Sequence, residues 1–188
     1  MSAASDNGPP AHDGKTPPEL RGLIDFLNSR ASAKRPERFD EPTSAAAFLS
    51  QCELGYDGRE LTAADTARLR GLRDALMHAL EQPADPQAWT EVNAAAASVP
   101  MQVRAAVGPT IALTSNTTNP ADAVIATILG QLTHAAITGR WERLGACARC
   151  RRVFYDATRS HTRRWCSYAT CGNRANVAAY RDRHSGQA

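Results

Sequence analysis

Residues 147–171 read CARCRRVFYDATRSHTRRWCSYATC and hold four of the five cysteines of a 188-residue chain. The pattern is C-x2-C, fifteen residues, then C-x4-C. Tetrahedral zinc takes four thiolates, and a C-x2-C knuckle presents two of them from one tight turn while a second pair arrives from elsewhere. Cys147, Cys150, Cys166 and Cys171 are therefore the expected metal ligands, for one structural Zn²⁺. A disulfide framework fits poorly, because five cysteines leave one unpaired and the start of the chain has no basic, apolar leader that would direct it to an oxidising compartment. Four thiolates also close the coordination sphere. No H-E-x-x-H or comparable base accompanies them, so the metal is expected to be structural and the protein not an enzyme.

Between and after the ligand pairs the sequence reads as knuckle, hairpin and helix, a treble-clef-like order. Arg152 to Asp156 is the expected outgoing strand, Ala157 to His161 the turn, and Thr162 to Trp165 the returning strand. Gly172 and Asn173 precede a helix over Arg174 to His184, with Asn173 as its cap and Val177 and Tyr180 as an apolar stripe. A unit of this size buries too little apolar surface to be secure alone, whereas structural zinc contributes about 10–16 kcal/mol of apparent binding energy. Metal binding and folding are expected to be coupled. His161, in the hairpin turn, is the one residue that would suit a nuclease-like site; a solvent-facing or phosphate-contacting role is the plainer reading.

Charge divides the chain at the same place. Residues 140–188 carry 11 Arg and no Lys against 3 acids, a net +8, while residues 1–139 carry 11 basic residues against 16 acids, a net −5. Zinc with four thiolates adds −2 and leaves the C-terminal segment near +6, still strongly basic. Arg159, Arg163 and Arg164 fall on the hairpin, and Arg174 and Arg181 share a face of the last helix, with Arg183 beside them. This set is the candidate surface for the phosphates of double-stranded DNA. About five neutralised phosphates would give affinity a log–log salt slope of roughly −4 to −5. Lys15 and Lys34 are the only lysines, so arginine is preferred along the whole chain and the clustering carries the inference. A solvated charged face, or arginines that merely neutralise the thiolates, is the alternative; so is an adaptor whose arginines meet an acidic protein.

Upstream, alanine runs and a low aromatic content favour helices. Residues 1–18, rich in Ser, Asp, Gly and Pro, read as a disordered tail. Leu20, Leu23, Ile24 and Leu27 mark a first helix. A second is expected from a Thr43 or Ser44 cap through Phe48, Leu49 and Cys52 to Gly55. A third follows Thr62, with Asp65 at the capping-box position and Leu69, Leu72, Leu76 and Leu80 on one face. Asp85-Pro86 opens a fourth, Met101 to Val107 and Thr110 to Ser115 form a β-hairpin, and Asn119-Pro120 begins a long apolar helix ending near Gly139. That helix carries Asp122, Gln131 and His134 and falls short of a membrane span, so a cytoplasmic protein without membrane contact is expected. Cys52, His78, His134, Trp89 and Trp141 read as packing or boundary residues.

The run Arg164-Trp165-Cys166-Ser167 followed by Cys171-Gly172-Asn173-Arg174 resembles the CGNR zinc-finger family of bacterial transcription regulators. Leu23-Ile-Asp-Phe-Leu-Asn28, the helix Leu69 to Leu76 and the apolar segment before Trp141 resemble the ABATE domain found with it. The resemblance covers nearly all of the chain beyond the tail. It implies zinc on the four cysteines, DNA binding by the C-terminal module, and an N-terminal domain that senses a signal, with a small-molecule effector as its ligand. Asn176 departs from the family, which usually has a basic residue after the Cys-Gly-Asn-Arg run. The expected architecture is mainly α with a small β element: an ABATE-like helical domain over 19–139 and a treble-clef-like zinc finger over 140–188. A homodimer is a further expectation for a regulator that reads a palindromic site.

Overall fold

The computed structural model describes residues 14–32, 35–108 and 110–185; the side chains of residues 106, 110, 182, 183 and 185 lie outside that description. Six α-helices and two separate two-stranded antiparallel sheets are found among the described residues. A 3-10 turn, Pro18–Leu20, leads into α1, Arg21–Leu27. It is followed by α2, Pro42–Leu49; α3, Ala63–Glu81; and α4, Pro86–Ala97. The hairpin β1, Met101–Ala106, and β2, Thr110–Ser115, precedes α5, Pro120–Ile137. A 3-10 turn at Trp141–Arg143 then enters β3, Leu144–Ala146, and β4, Val153–Tyr155; a π-helical turn, Tyr168–Gly172, runs directly into α6, Asn173–Ser185.

The helix starts are local chemistry. Thr62 Oγ1 accepts from the Asp65 N–H at 3.2 Å while Asp65 accepts from the Thr62 N–H at 2.9 Å, the reciprocal capping box. Asn119 caps α5 by accepting from the N–H groups of Ala121 and Asp122, and its amide donates to Asp65 at 2.7 Å. The starts of α3 and α5 are thus wired to each other. Their apolar faces close on α1, which buries nearly its whole circumference: Leu23, Phe26 and Leu27 meet Leu69, Leu72, Leu76, Ile125 and Ile128, all essentially without solvent contact. Burying a side chain of this kind contributes about 1.5–3 kcal/mol. Gly22 lets α1 sit this deep, since a Cβ there would come within 2.8 Å of Glu53 O and Leu54.

Four expectations change. The second helix begins at Pro42 with no side-chain cap, because Pro is pre-set for the first helical turn, and it ends at Leu49; Gly55, at φ +71°, lies beyond it in the following loop. The tail expected over 1–18 falls outside the described residues for 1–13, but Thr16 is buried and Pro18 already opens a helical turn. Thr162 to Trp165 is not a returning strand. Its place as partner of β4 is taken by β3, in the register Leu144↔Tyr155, Gly145↔Phe154, Ala146↔Val153, because only that segment offers apolar side chains to the core. Finally, Asn173 is not a cap: it has helical φ/ψ and its side chain donates to Ala169 O, while Ser167 caps the preceding π turn by accepting from the Thr170 N–H.

The second sheet is rooted in the helical core. Leu144, Val153 and Tyr155 are buried among the core residues. Asn28, just past the end of α1, acts as an additional strand edge: its Nδ2 donates to Val153 O at 3.0 Å and its Oδ1 accepts from Val153 N at 2.8 Å. Arg151, in the knuckle, pairs with Glu81 at the end of α3. Trp89 of α4 and Trp141 pack ring to ring at 6.0 Å, partly buried against the core as packing residues. Cys52 packs there too, its thiol pushed up to about 12 by burial and by the nearby Asp25 charge. His78 stands at the boundary between Asp85 (3.0 Å) and Glu91 (3.4 Å), and His134 is exposed near the end of α5.

Candidate metal centre

The β3–β4 hairpin turns through the first ligand pair. Cys147 N–H donates to Arg152 O at 2.9 Å and Arg151 N–H to Cys147 O at 2.9 Å, with Arg151 in the left-handed region at φ +61° to close the knuckle. The second pair is set by the π turn. Cys171 and Gly172 N–H groups both donate to Ser167 O, at 3.0 and 3.1 Å. The wide turn brings residues five apart in sequence, Cys166 and Cys171, together on one side, which explains the x4 spacing. Gly172 is required there: a Cβ would stand 2.9 Å from the Tyr168 ring and 3.2 Å from that of Trp165. Ala148 N–H donates to Arg164 O at 3.0 Å and ties the two arms together.

The four sulfurs lie within 4.8 Å of one another, with Cys150 and Cys166 3.5 Å apart and Cys166 and Cys171 3.7 Å apart. A regular tetrahedron with zinc–sulfur bonds of about 2.3 Å has edges near 3.8 Å. The sulfurs are therefore spaced for one zinc ion, and four soft donors suit that metal. His161 is not part of this cluster; it is exposed in a loop at φ +50°.

Burial opposes ionisation of Cys147, but the backbone N–H groups of Cys150, Cys166 and Arg149 aimed at its sulfur outweigh it and bring the thiol down to about 6. Burial, with the neighbouring Cys150 and Cys147 sulfurs, holds Cys166 well above its ordinary range, and burial raises Cys150 as well. One sulfur is thus prepared as an anion. Cys150 and Cys166 resist ionisation beside it.

Two residues to which the sequence assigned no role at this centre hold its surroundings. Asp156, 5% exposed, accepts from Thr158 N at 2.9 Å, Thr158 Oγ1 at 2.6 Å and Arg163 N at 2.9 Å, folding the loop 157–163 back on β4. Asp-x-Thr is a turn signal that could have flagged it. Asn28 is the other; it sits 125 residues from Val153, and no local pattern announces that pairing.

The arginines sort into two kinds. Arg163 points inward: its guanidinium lies 4.8 Å from the Phe154 ring centroid, its Nε donates to Trp165 O at 2.8 Å, and it also donates to Cys166 O. Arg159, Arg164, Arg174 and Arg181 are exposed, Arg164 over the face of Trp165 at 5.4 Å. The Arg183 side chain lies outside the described residues. Outside the π turn, α6 makes few contacts, and Tyr168, Val177 and Tyr180 are at least half exposed beside the arginines.

Among the described residues no helix is long and apolar enough to cross a membrane. No curated protein matches the chain. Two family models do: "Putative stress-induced transcription regulator", the ABATE family, over residues 21–150, and the CGNR zinc finger over residues 143–184. The two overlap on β3 and the first ligand pair, the segment that structurally belongs to both the helical core and the metal centre. The first model covers more than half of the chain, and the chain belongs to the ABATE family, with a CGNR zinc finger at its C-terminal end.

Proposed function

We propose that the protein is a zinc-dependent, cytoplasmic regulator that binds double-stranded DNA through the face formed by Arg159, Arg164, Arg174 and Arg181, and that it is not an enzyme. The observation that carries this reading is the exposure of these four side chains around a closed four-sulfur centre, in a segment of net +8. Arg163 acts as a positioning residue, holding the carbonyls of Trp165 and Cys166 in place so that the second ligand pair and α6 keep their orientation. An effector would have room in the groove of about 670 Å³ between α3 and α4, lined by Leu72, Ala75, His78, Glu91, Ala95 and Ser98.

The test is fluorescence anisotropy of the zinc-loaded full chain on a mixed-sequence duplex over a range of salt. Four phosphate contacts give a log–log slope of about −4, and the Arg174→Ala/Arg181→Ala variant lowers its magnitude by about 2. Absence of binding at low salt, or a slope unmoved by the double variant, would sink the reading. The exposed Tyr168, Val177 and Tyr180 favour a second one, an adaptor that docks an acidic protein. Stoichiometric capture of one protein with no response to duplex DNA would decide for it.

A further inference from the structure

The β1–β2 hairpin is an unfinished sheet. It has only two strands, and β1 has no strand partner other than β2 among the described residues, which leaves its outer edge open. An isolated two-stranded sheet is marginal in water, and soluble proteins guard such edges with lysine, proline, inward charges or bulges. Here the edge reads Met101-Gln-Val-Arg-Ala-Ala106, six residues with neither lysine nor acid. One face of the hairpin is apolar and exposed: Met101 at 37%, Val103 at 69% and Ile111 at 72%, joined at the tip by Val107.

We propose that β1 pairs antiparallel with β1 of a second copy, joining the two hairpins into one four-stranded sheet across a two-fold axis at Val103. The choice of a second copy rests on the strand's self-complementarity. An antiparallel pairing that keeps the apolar face of both copies on one side must place residues of like parity opposite each other; a one-residue slip puts Val103 opposite Arg104 and mixes the faces. Three such registers have their axis near the middle of the strand. An axis at Arg104 sets two guanidinium groups opposite each other, which is unfavourable. An axis at Gln102 pairs only residues 101–103 within the strand, whereas an axis at Val103 pairs residues 101–105. An axis at Val103 pairs Val103 with itself, Met101 with Ala105 and Gln102 with Arg104. Residues 101–105 then each face a compatible partner, and the apolar face becomes continuous with Ile111 on both sides. The two-fold arrangement uses up the β1 edge of both copies.

The test is equilibrium sedimentation of the zinc-loaded full chain, together with two cysteine variants. The wild type is expected to form dimers in the micromolar range, and Val103→Lys, a change at an exposed position that leaves circular dichroism unaltered, to weaken association by at least about tenfold. With an axis at Val103, opposed Cβ atoms stand about 4.5–5.5 Å apart, within reach of a disulfide, whereas the two copies of residue 105 are about 13 Å apart. Mild oxidation should therefore link Val103→Cys into a covalent dimer and leave Ala105→Cys and the wild type unlinked. A wild type that stays monomeric at 100 µM, equal association by Val103→Lys, or equal cross-linking at both positions would overturn the proposal. So would a monomer in which the β1 amides resist hydrogen exchange until residues 1–13 are removed, since the edge would then belong to the chain's own N-terminal segment.

Discussion

Asn28 shows how one side chain can join two parts of the molecule. It satisfies both backbone groups of Val153, at 2.8 and 3.0 Å, in a buried position. Asn28→Ala leaves a buried donor and a buried acceptor unpaired, and unfolding in denaturant should show a loss of about 2–4 kcal/mol. Asn28→Asp keeps the acceptor alone and should also destabilise. Asp65 gives the pH-dependent counterpart. Burial works against its charge, but Asn119, the hydroxyl and N–H of Thr62, and the Arg68 charge outweigh it and hold the carboxyl below the usual range. Stability from this group is complete above the unfolded value near 3.9 and is lost as pH falls through the lower folded value. Asp65→Asn should be less stable than wild type at pH 7 by about 1–2 kcal/mol, with the gap narrowing as acid titration passes below pH 4. A gap that stayed constant to pH 2 would contradict this.

At the scale of elements, α6 stands out for what it lacks. Beyond the π turn it has few contacts, and almost all of its described side chains are exposed. A 13-residue helix of this kind is marginal by itself in water. Its order should depend on the ligands just before it, so removal of zinc is expected to abolish amide protection in α6 while α3, packed on every apolar position, keeps its own. Persistence of α6 protection without metal would show a different support. The elements legible in the sequence were those whose signals are local: the capping box at Thr62, Pro86 and Pro120 at helix starts, the heptad-like leucines of α3, and the ligand spacing. The strand partner of β4 was misread because Thr162 to Trp165 lies nearer a plausible hairpin turn, whereas the true partner, Leu144–Ala146, is chosen by burial against α1 and α3. Asn173 was misread for a related reason: the π turn starts the helical path at Tyr168, six residues earlier than a cap at Asn173 requires.

Across the whole molecule, the metal centre is not an appendage. Its first ligand pair sits on a hairpin whose side chains are part of the helical core, fixed further by Asn28 and by the Arg151–Glu81 pair. Its second pair is held to the first by the Ala148–Arg164 hydrogen bond and by the metal, and that second pair carries the π turn, Arg174 and Arg181. Zinc thus connects the helical body to the basic surface, and the ligand set, the charge and the family were all readable from residues 143–184, while this connection was not. The claim is tested most directly by measuring duplex binding of the full chain in three states: zinc-loaded, stripped by a chelator under reducing conditions, and reloaded. Binding at low salt should be lost on stripping and restored by one equivalent of Zn²⁺ per chain; affinity unchanged by removal of the metal would contradict this coupling.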